Sequence, residues 1–141
     1  MARYRSGRAS DFNKAATRKM MQINRRAIAS LISEAQAPVH GSLPPGVPDN
    51  VRAGLKAGRM PVDTGFLRNS FVSGLNGSAS PAHHGVVIAS MKLGDGFIYG
   101  WTAEYARAVE YGSSGRRAYL FATTAANHWA EHVEAAVRAV R

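Results

Sequence analysis

Trp101-Thr102-Ala103-Glu104-Tyr105-Ala106-Arg107-Ala108-Val109-Glu110-Tyr111-Gly112 carries its own start and stop signals, and its reading as a short amphipathic helix decides how the rest of the chain is arranged. Thr102 is placed to cap the N-terminus, Glu104 falls in the first turn beside the positive end of the helix dipole, and Gly112 can take the left-handed position that ends a helix. Trp101, Tyr105 and Val109 recur every fourth residue on one face, while Glu104, Arg107 and Glu110 stand three apart on another. This is the pattern of a core-docking helix with solvated charges. The elements on either side must supply the surface on which it docks.

Upstream, residues 85–91 and 97–102 are rich in β-branched and aromatic residues and read as two strands joined through Lys92-Leu93-Gly94-Asp95-Gly96, where Asp95-Gly96 is a hairpin signal. Such a hairpin is long enough to project beyond a small core. His83 and His84, adjacent in an extended segment, would point to opposite faces and share no metal. Asn76-Gly77-Ser78-Ala79-Ser80-Pro81 reads as a turn, and residues 70–75 as a further strand. Before it, Met60-Pro61-Val62-Asp63-Thr64-Gly65-Phe66-Leu67 reads as a capped turn. In it Asp63 accepts from backbone N–H groups, Gly65 adopts positive φ, and Phe66 and Leu67 return to the core. Asp63 and Thr64 have no second carboxylate or histidine at ligand spacing, so a turn is favoured over a catalytic or metal pair. The result is an antiparallel sheet of three to four strands.

Downstream, Ser113-Ser114-Gly115-Arg116-Arg117 is a basic loop that could grip phosphate, and Tyr119-Leu120-Phe121 anchors a terminal helix. Its stripe of Ala122, Ala125, Trp129, Val133, Ala136 and Val140 predicts packing on the sheet. At the other end, residues 1–10 read as a basic flexible arm. Residues 11–37 read as a long helix capped by Ser10 or Asp11 and closed by Pro38, with Phe12, Ala16, Met20, Ile23, Ala27, Leu31 and Ala35 at helical spacing. About 26 residues of helix span about 39 Å, more than a small core can cover, so part of this helix should meet another subunit or solvent. Residues 38–60, rich in Pro and Gly, form a connecting loop that could hold a short helix over 49–57. The fold class is therefore α+β. A long N-terminal helix, a small antiparallel sheet with a projecting hairpin, a short central helix and a C-terminal helix on the sheet make up one domain over 11–141.

The totals narrow the chemistry. A chain of 141 residues buries about two thirds of its unfolded surface in a single core. It has no cysteine, which excludes disulfides, thiolate metal sites and a cysteine nucleophile. No apolar run reaches the roughly 20 residues that span a bilayer and the start lacks a signal peptide's apolar segment, so synthesis in the cytoplasm and no membrane partner are expected. Eighteen Lys and Arg against nine Asp and Glu give +9 and a pI near 10.7, a balance that favours polyanionic partners. Arg3, Arg5, Arg8, Lys14, Arg18, Lys19, Arg25 and Arg26 face only Asp11 over the first 26 residues. His128-Trp129-Ala130-Glu131-His132 has the spacing with which one metalloprotease class presents two zinc ligands and a general base. A third ligand is missing, with nine residues left after His132, so no catalytic residue, metal or cofactor is assigned.

Val62-Asp63-Thr64-Gly65-x-Leu67-Arg68-x-Ser70, then a sheet, then Tyr105-Ala106-x-x-Val109-Glu110-x-Gly112 and an aromatic-Leu start to the last helix resemble the tail-completion or neck proteins of long-tailed bacteriophages. The resemblance covers about residues 61–126. Its motif positions are Asp63, Thr64, Gly65, Leu67, Tyr105, Val109, Glu110 and Gly112. It implies a non-enzymatic structural virion protein, a head-tail connector assembled as a ring, a hexamer by that analogy, around the DNA path at the head-tail junction. Its partners would be its own copies, neighbouring connector and tail proteins, and phage DNA held by non-specific electrostatics. Arg3, Arg5, Arg8, Arg18, Lys19, Arg25, Arg26, Arg116 and Arg117 are then the candidate contacts. The alternative is a small basic nucleic-acid-binding protein, which explains the charge but not the Asp-Thr-Gly turn or the Tyr-Ala-x-x-Val-Glu-x-Gly helix, and no helix-turn-helix, zinc finger or aromatic RNA-binding signature accompanies it.

Overall fold

A computed structural model describes residues 6–37, 60, 65–113, 115 and 118–141, with side chains from residue 9 onward. Their order is α1 (Ser6–Ala35), α2 (Phe66–Asn69), β1 (Phe71–Leu75), β2 (Ser78–Ser80), α3 (His84–Ser90), β3 (Phe97–Trp101), α4 (Ala106–Tyr111), α5 (Phe121–Asn127) and α6 (Trp129–Val140). The architecture is α+β. Three strands form an antiparallel sheet in the order β2-β1-β3.

On one face of the β1–β3 pair an aromatic side chain of β3 stands at every register position. Phe71 lies opposite Trp101, Ser73 opposite Tyr99 and Leu75 opposite Phe97, which puts all of these side chains on one face. The Phe71 and Trp101 rings meet edge to face at 5.5 Å. This face packs, with Ile88 and Met91, on Ile28, Leu31, Ile32 and Ala35 of α1 and on Ala125 of α5. A second cluster joins Met60, Leu67, Ala103 and Phe121, with Trp101 bordering both. The indole N–H of Trp101 donates to Gln36 Oε1 at 3.2 Å, tying sheet to helix at the seam of the two clusters.

Several local expectations are revised by tertiary contacts. The long helix is longer than expected, beginning at Ser6, so residues 6–10 belong to it; it ends at Ala35. Residues 85–91 are not a strand but helix α3. The imidazole of His83 accepts from Gly85 N–H at 3.1 Å and starts the helix. Ile88 then enters the core, a case of packing overriding the β preference of Val86, Val87 and Ile88. The expected hairpin over 85–102 therefore does not form. Residues 92–96 instead connect helix to strand, with Asp95 accepting from Lys92 N–H at 2.8 Å; this bond and one from Asn76 hold its carboxyl below the usual range. The hairpin that does form is β1–β2. Asn76 and Gly77 make its turn with positive φ, and Ser78–Ser80 form a fully exposed edge strand rather than a turn. A Cβ on Gly74 would lie 1.6 Å from the Ser78 carbonyl oxygen, so only glycine lets the two strands pair there.

The stretch 101–112 is helical only from Ala106. Trp101 ends β3, and Thr102 does not cap the helix: its N–H and hydroxyl both donate to Ser70 O, at 3.0 and 3.2 Å. Glu104 lies before the first turn. Gly112 does leave the helix at φ 81. The terminal helix is broken at His128 into α5 and α6; α6 packs on α1, while α5 packs both on α1 and, through Phe121 and Ala125, on the sheet. Ala27, Ala35, Ala125 and Ala136 are all buried, and such small side chains let helix axes approach closely. The connecting loop meets the described fold where Met60 N–H donates to Ala37 O at 3.1 Å; the short helix expected over 49–57 lies outside the described residues.

Candidate functional site

Helix α1 divides into two halves. Residues from Ala27 to Ala35 carry its buried positions, whereas from Ala9 to Met20 every residue except Ala16 is exposed. At about 1.5 Å per residue the whole helix is about 45 Å long, so roughly 20 Å of it stands clear of the described core. The projecting half mixes charge with apolar surface. Lys14, Arg18, Lys19 and, further along, Arg26 are exposed, while Phe12 is 73% and Met20 51% exposed.

Among the candidate cations, Arg25 has a different task. Its guanidinium donates to the carbonyls of Ala89 and Met91 at 3.1 and 3.0 Å, closing the C-terminal end of α3 where carbonyls lack helical partners. Arg25 thus fastens α3 to α1 and is withdrawn from the exposed row. Arg8 lies in α1, with its side chain outside the described residues. Arg3, Arg5, Arg116, Arg117, Asp63 and Thr64 also lie outside them. Gly65 has φ 81, as the turn reading requires, and precedes α2. Leu67 is buried, Val109 half-buried and Tyr105 exposed, its ring 6.0 Å from that of Phe66.

Glu110 is buried, which its place in a solvated charge row did not foretell. Its carboxylate accepts from Ala122 N–H at 3.0 Å and Thr123 N–H at 2.7 Å, and from the Thr123 hydroxyl. Thus α4 supplies the N-terminal cap of α5, where four backbone N–H groups have no helical acceptor. Leu120 sits at φ 51 ahead of that helix, and its N–H returns to Glu110 O at 3.0 Å.

His128 and His132 are likewise engaged. Nδ1 of His128 and Nε2 of His132 each lie 2.6 Å from a different oxygen of Glu34 on α1. The expected four-residue alignment of the histidines holds, but a carboxylate from the partner helix occupies it. Among the described residues no three His, Asp or Glu side chains are grouped to hold a metal ion. Burial tends to raise the Glu34 carboxyl, but the two histidine hydrogen bonds and their charge outweigh it and leave it below its ordinary 4.5. Bonding to Glu34 and its charge raise His128 above 6.5.

These shifts fix the sign of a pH dependence. The His128 contribution is complete below pH 6.5 and is lost as pH rises through its raised folded value. The Glu34 contribution is complete above 4.5 and is lost as pH falls through its lowered folded value. Docking of α6 on α1 should thus be firmest between those pH values. Urea midpoints at pH 5.5 and 8 should differ in the wild type, with the higher at 5.5, and the difference should shrink in His128→Gln.

No helix among the described residues is long and apolar enough to cross a membrane. Comparison with protein-family models, with curated proteins and with solved structures gave no match.

Proposed function

We propose that this chain is a structural virion protein that forms a ring at the head-tail junction of a long-tailed bacteriophage and joins tail to head around the DNA path. The observation that carries this reading is α1, whose projecting half has both cations and large apolar side chains in solvent. A monomer rarely maintains such an element without another molecule to receive it. A ring provides neighbours for the apolar side and DNA or acidic connector surfaces for the charged side. With +9 per subunit, about six copies make a strongly positive annulus, screened beyond roughly 8 Å at physiological salt. The arrangement of turn, sheet and Tyr-Ala-x-x-Val-Glu-x-Gly segment supports the same assignment by resemblance. Glu34, Glu110 and Arg25 are scaffold residues in this reading, and the protein carries out no catalysis.

Phage carrying glutamate at Arg3, Arg5, Arg8, Arg18, Lys19, Arg116 and Arg117 should accumulate unjoined heads and tails, with titre lowered at least tenfold. Normal titres of infectious particles would contradict the reading. A second reading, a free nucleic-acid-binding protein, draws on the same exposed row of Lys14, Arg18, Lys19 and Arg26. It requires salt-dependent binding of the isolated chain to DNA with no particle-joining defect in that variant.

A further inference from the structure

We propose that the free chain pairs with a second copy of itself through the projecting half of α1, two helices crossing antiparallel with Ala16 at the two-fold axis. The inference goes beyond the ring reading and does not depend on it.

Phe12 and Met20 stand four residues on either side of Ala16, and Ala9 and Ile23 seven on either side. On a helix with 3.6 residues per turn all five fall on one side, in a stripe that continues to Ala27. An antiparallel copy centred on Ala16 therefore sets Phe12 against the partner's Met20, Met20 against the partner's Phe12, and Ala16 against the partner's Ala16. This is the self-complementarity that a two-fold contact requires. Alanine at the crossing point lets the axes approach to about 8 Å, and a thioether against an aromatic ring is a favourable pair.

The placement of the cations separates this contact from one with nucleic acid. Lys14 and Arg18 stand two residues on either side of Ala16, which places them on the opposite side of the helix, pointing away from the seam. DNA on that face would leave Phe12, at 73% exposure, and Met20, at 51%, in water. A second copy covers both. Lys19 and Arg26 flank the seam, so the pair meets some like-charge repulsion. With two large apolar side chains per copy the contact is small and belongs to the weak, reversible class. A ring that seats its neighbours on this same half of α1 requires the pair to open first. It would shield the apolar stripe in the meantime.

The native chain lacks cysteine, so single-cysteine variants report the geometry directly. Under air oxidation of the full chain, Ala16→Cys should form a disulfide-linked dimer, because Cα atoms facing across a close helix crossing fall within disulfide reach. Ala9→Cys should not, since residue 9 lies opposite the partner's Ile23. Sedimentation of the wild type over a concentration series should approach twice 15.1 kDa, and added salt should tighten the pair by screening Lys19 and Arg26. Phe12→Asp, at an exposed site, should keep its circular dichroism spectrum and remain at the monomer mass. Linkage at Ala9 as efficient as at Ala16 would overturn the antiparallel pair. So would a wild type of monomer mass throughout whose Ala16→Cys links no faster than exposed Ala29→Cys. A monomer that associates only with DNA or another protein would also overturn it. Absence of the chain from phage particles would defeat the ring and leave all these readouts in place.

Discussion

Phe121→Ala should cost about 3–5 kcal/mol, the range for emptying an aromatic site in a packed interior. Phe121 is 1% exposed and is among the largest fully buried side chains. It is the first residue of α5, it fills the second core cluster with Met60, Leu67 and Ala103, and its ring stands edge to face with Trp101 at 4.8 Å. Trp101 in turn borders the first cluster. One deletion therefore leaves a cavity where both clusters meet and removes an aromatic pair worth about 0.5–1.5 kcal/mol beyond its area. For a domain of this size the loss corresponds to a fall in Tm of roughly 10–15 °C. The Trp101 near-ultraviolet circular dichroism should weaken at the same time. Tyr111→Ala, at 65% exposure, should stay within about 0.5 kcal/mol of wild type. Similar effects at the two positions would show that the second cluster is not a core.

The second large effect is expected at Glu110. Alanine there strands the N–H groups of Ala122 and Thr123, which the carboxylate now receives, in a part-buried position. The cost should be about 2–4 kcal/mol, the sum of lost charge-assisted bonds and unsatisfied donors. Glutamine retains one oxygen acceptor but not the negative charge that suits a helix N-terminus, so Glu110→Gln should cost about half as much. Urea unfolding measures both. Hydrogen exchange at Ala122 and Thr123 should accelerate in the alanine variant well before exchange in α1 does. An alanine variant as stable as wild type would mean that α5 finds its cap elsewhere.

Elements with strong internal periodicity were legible in the sequence. The long helix, the strand ahead of Asn76 and the C-terminal helical stripe follow directly from spacing. What the sequence concealed depends on partners far along the chain. Val86, Val87 and Ile88 have strand preferences, and their helix is fixed from outside, by the His83 cap and by Arg25 at its other end. Glu110 reads as a surface charge in its local sequence, because the N–H groups it satisfies lie 12 and 13 residues later. The His128 and His132 pair was visible; Glu34, more than 90 residues away, was not. The amphipathic pattern of α1 showed which residues share a side, but not that the stripe passes from core to solvent near Ala27. Its length against the size of the domain was the signal that part of it would project.

The proposed role is tested most directly by cryo-electron microscopy of intact particles of a bacteriophage whose genome encodes this chain. Under the proposed role this chain lies in a ring between head and tail, with the N-terminal half of α1 contacting neighbouring subunits or DNA. Purified, infectious particles from which the chain is absent would contradict it.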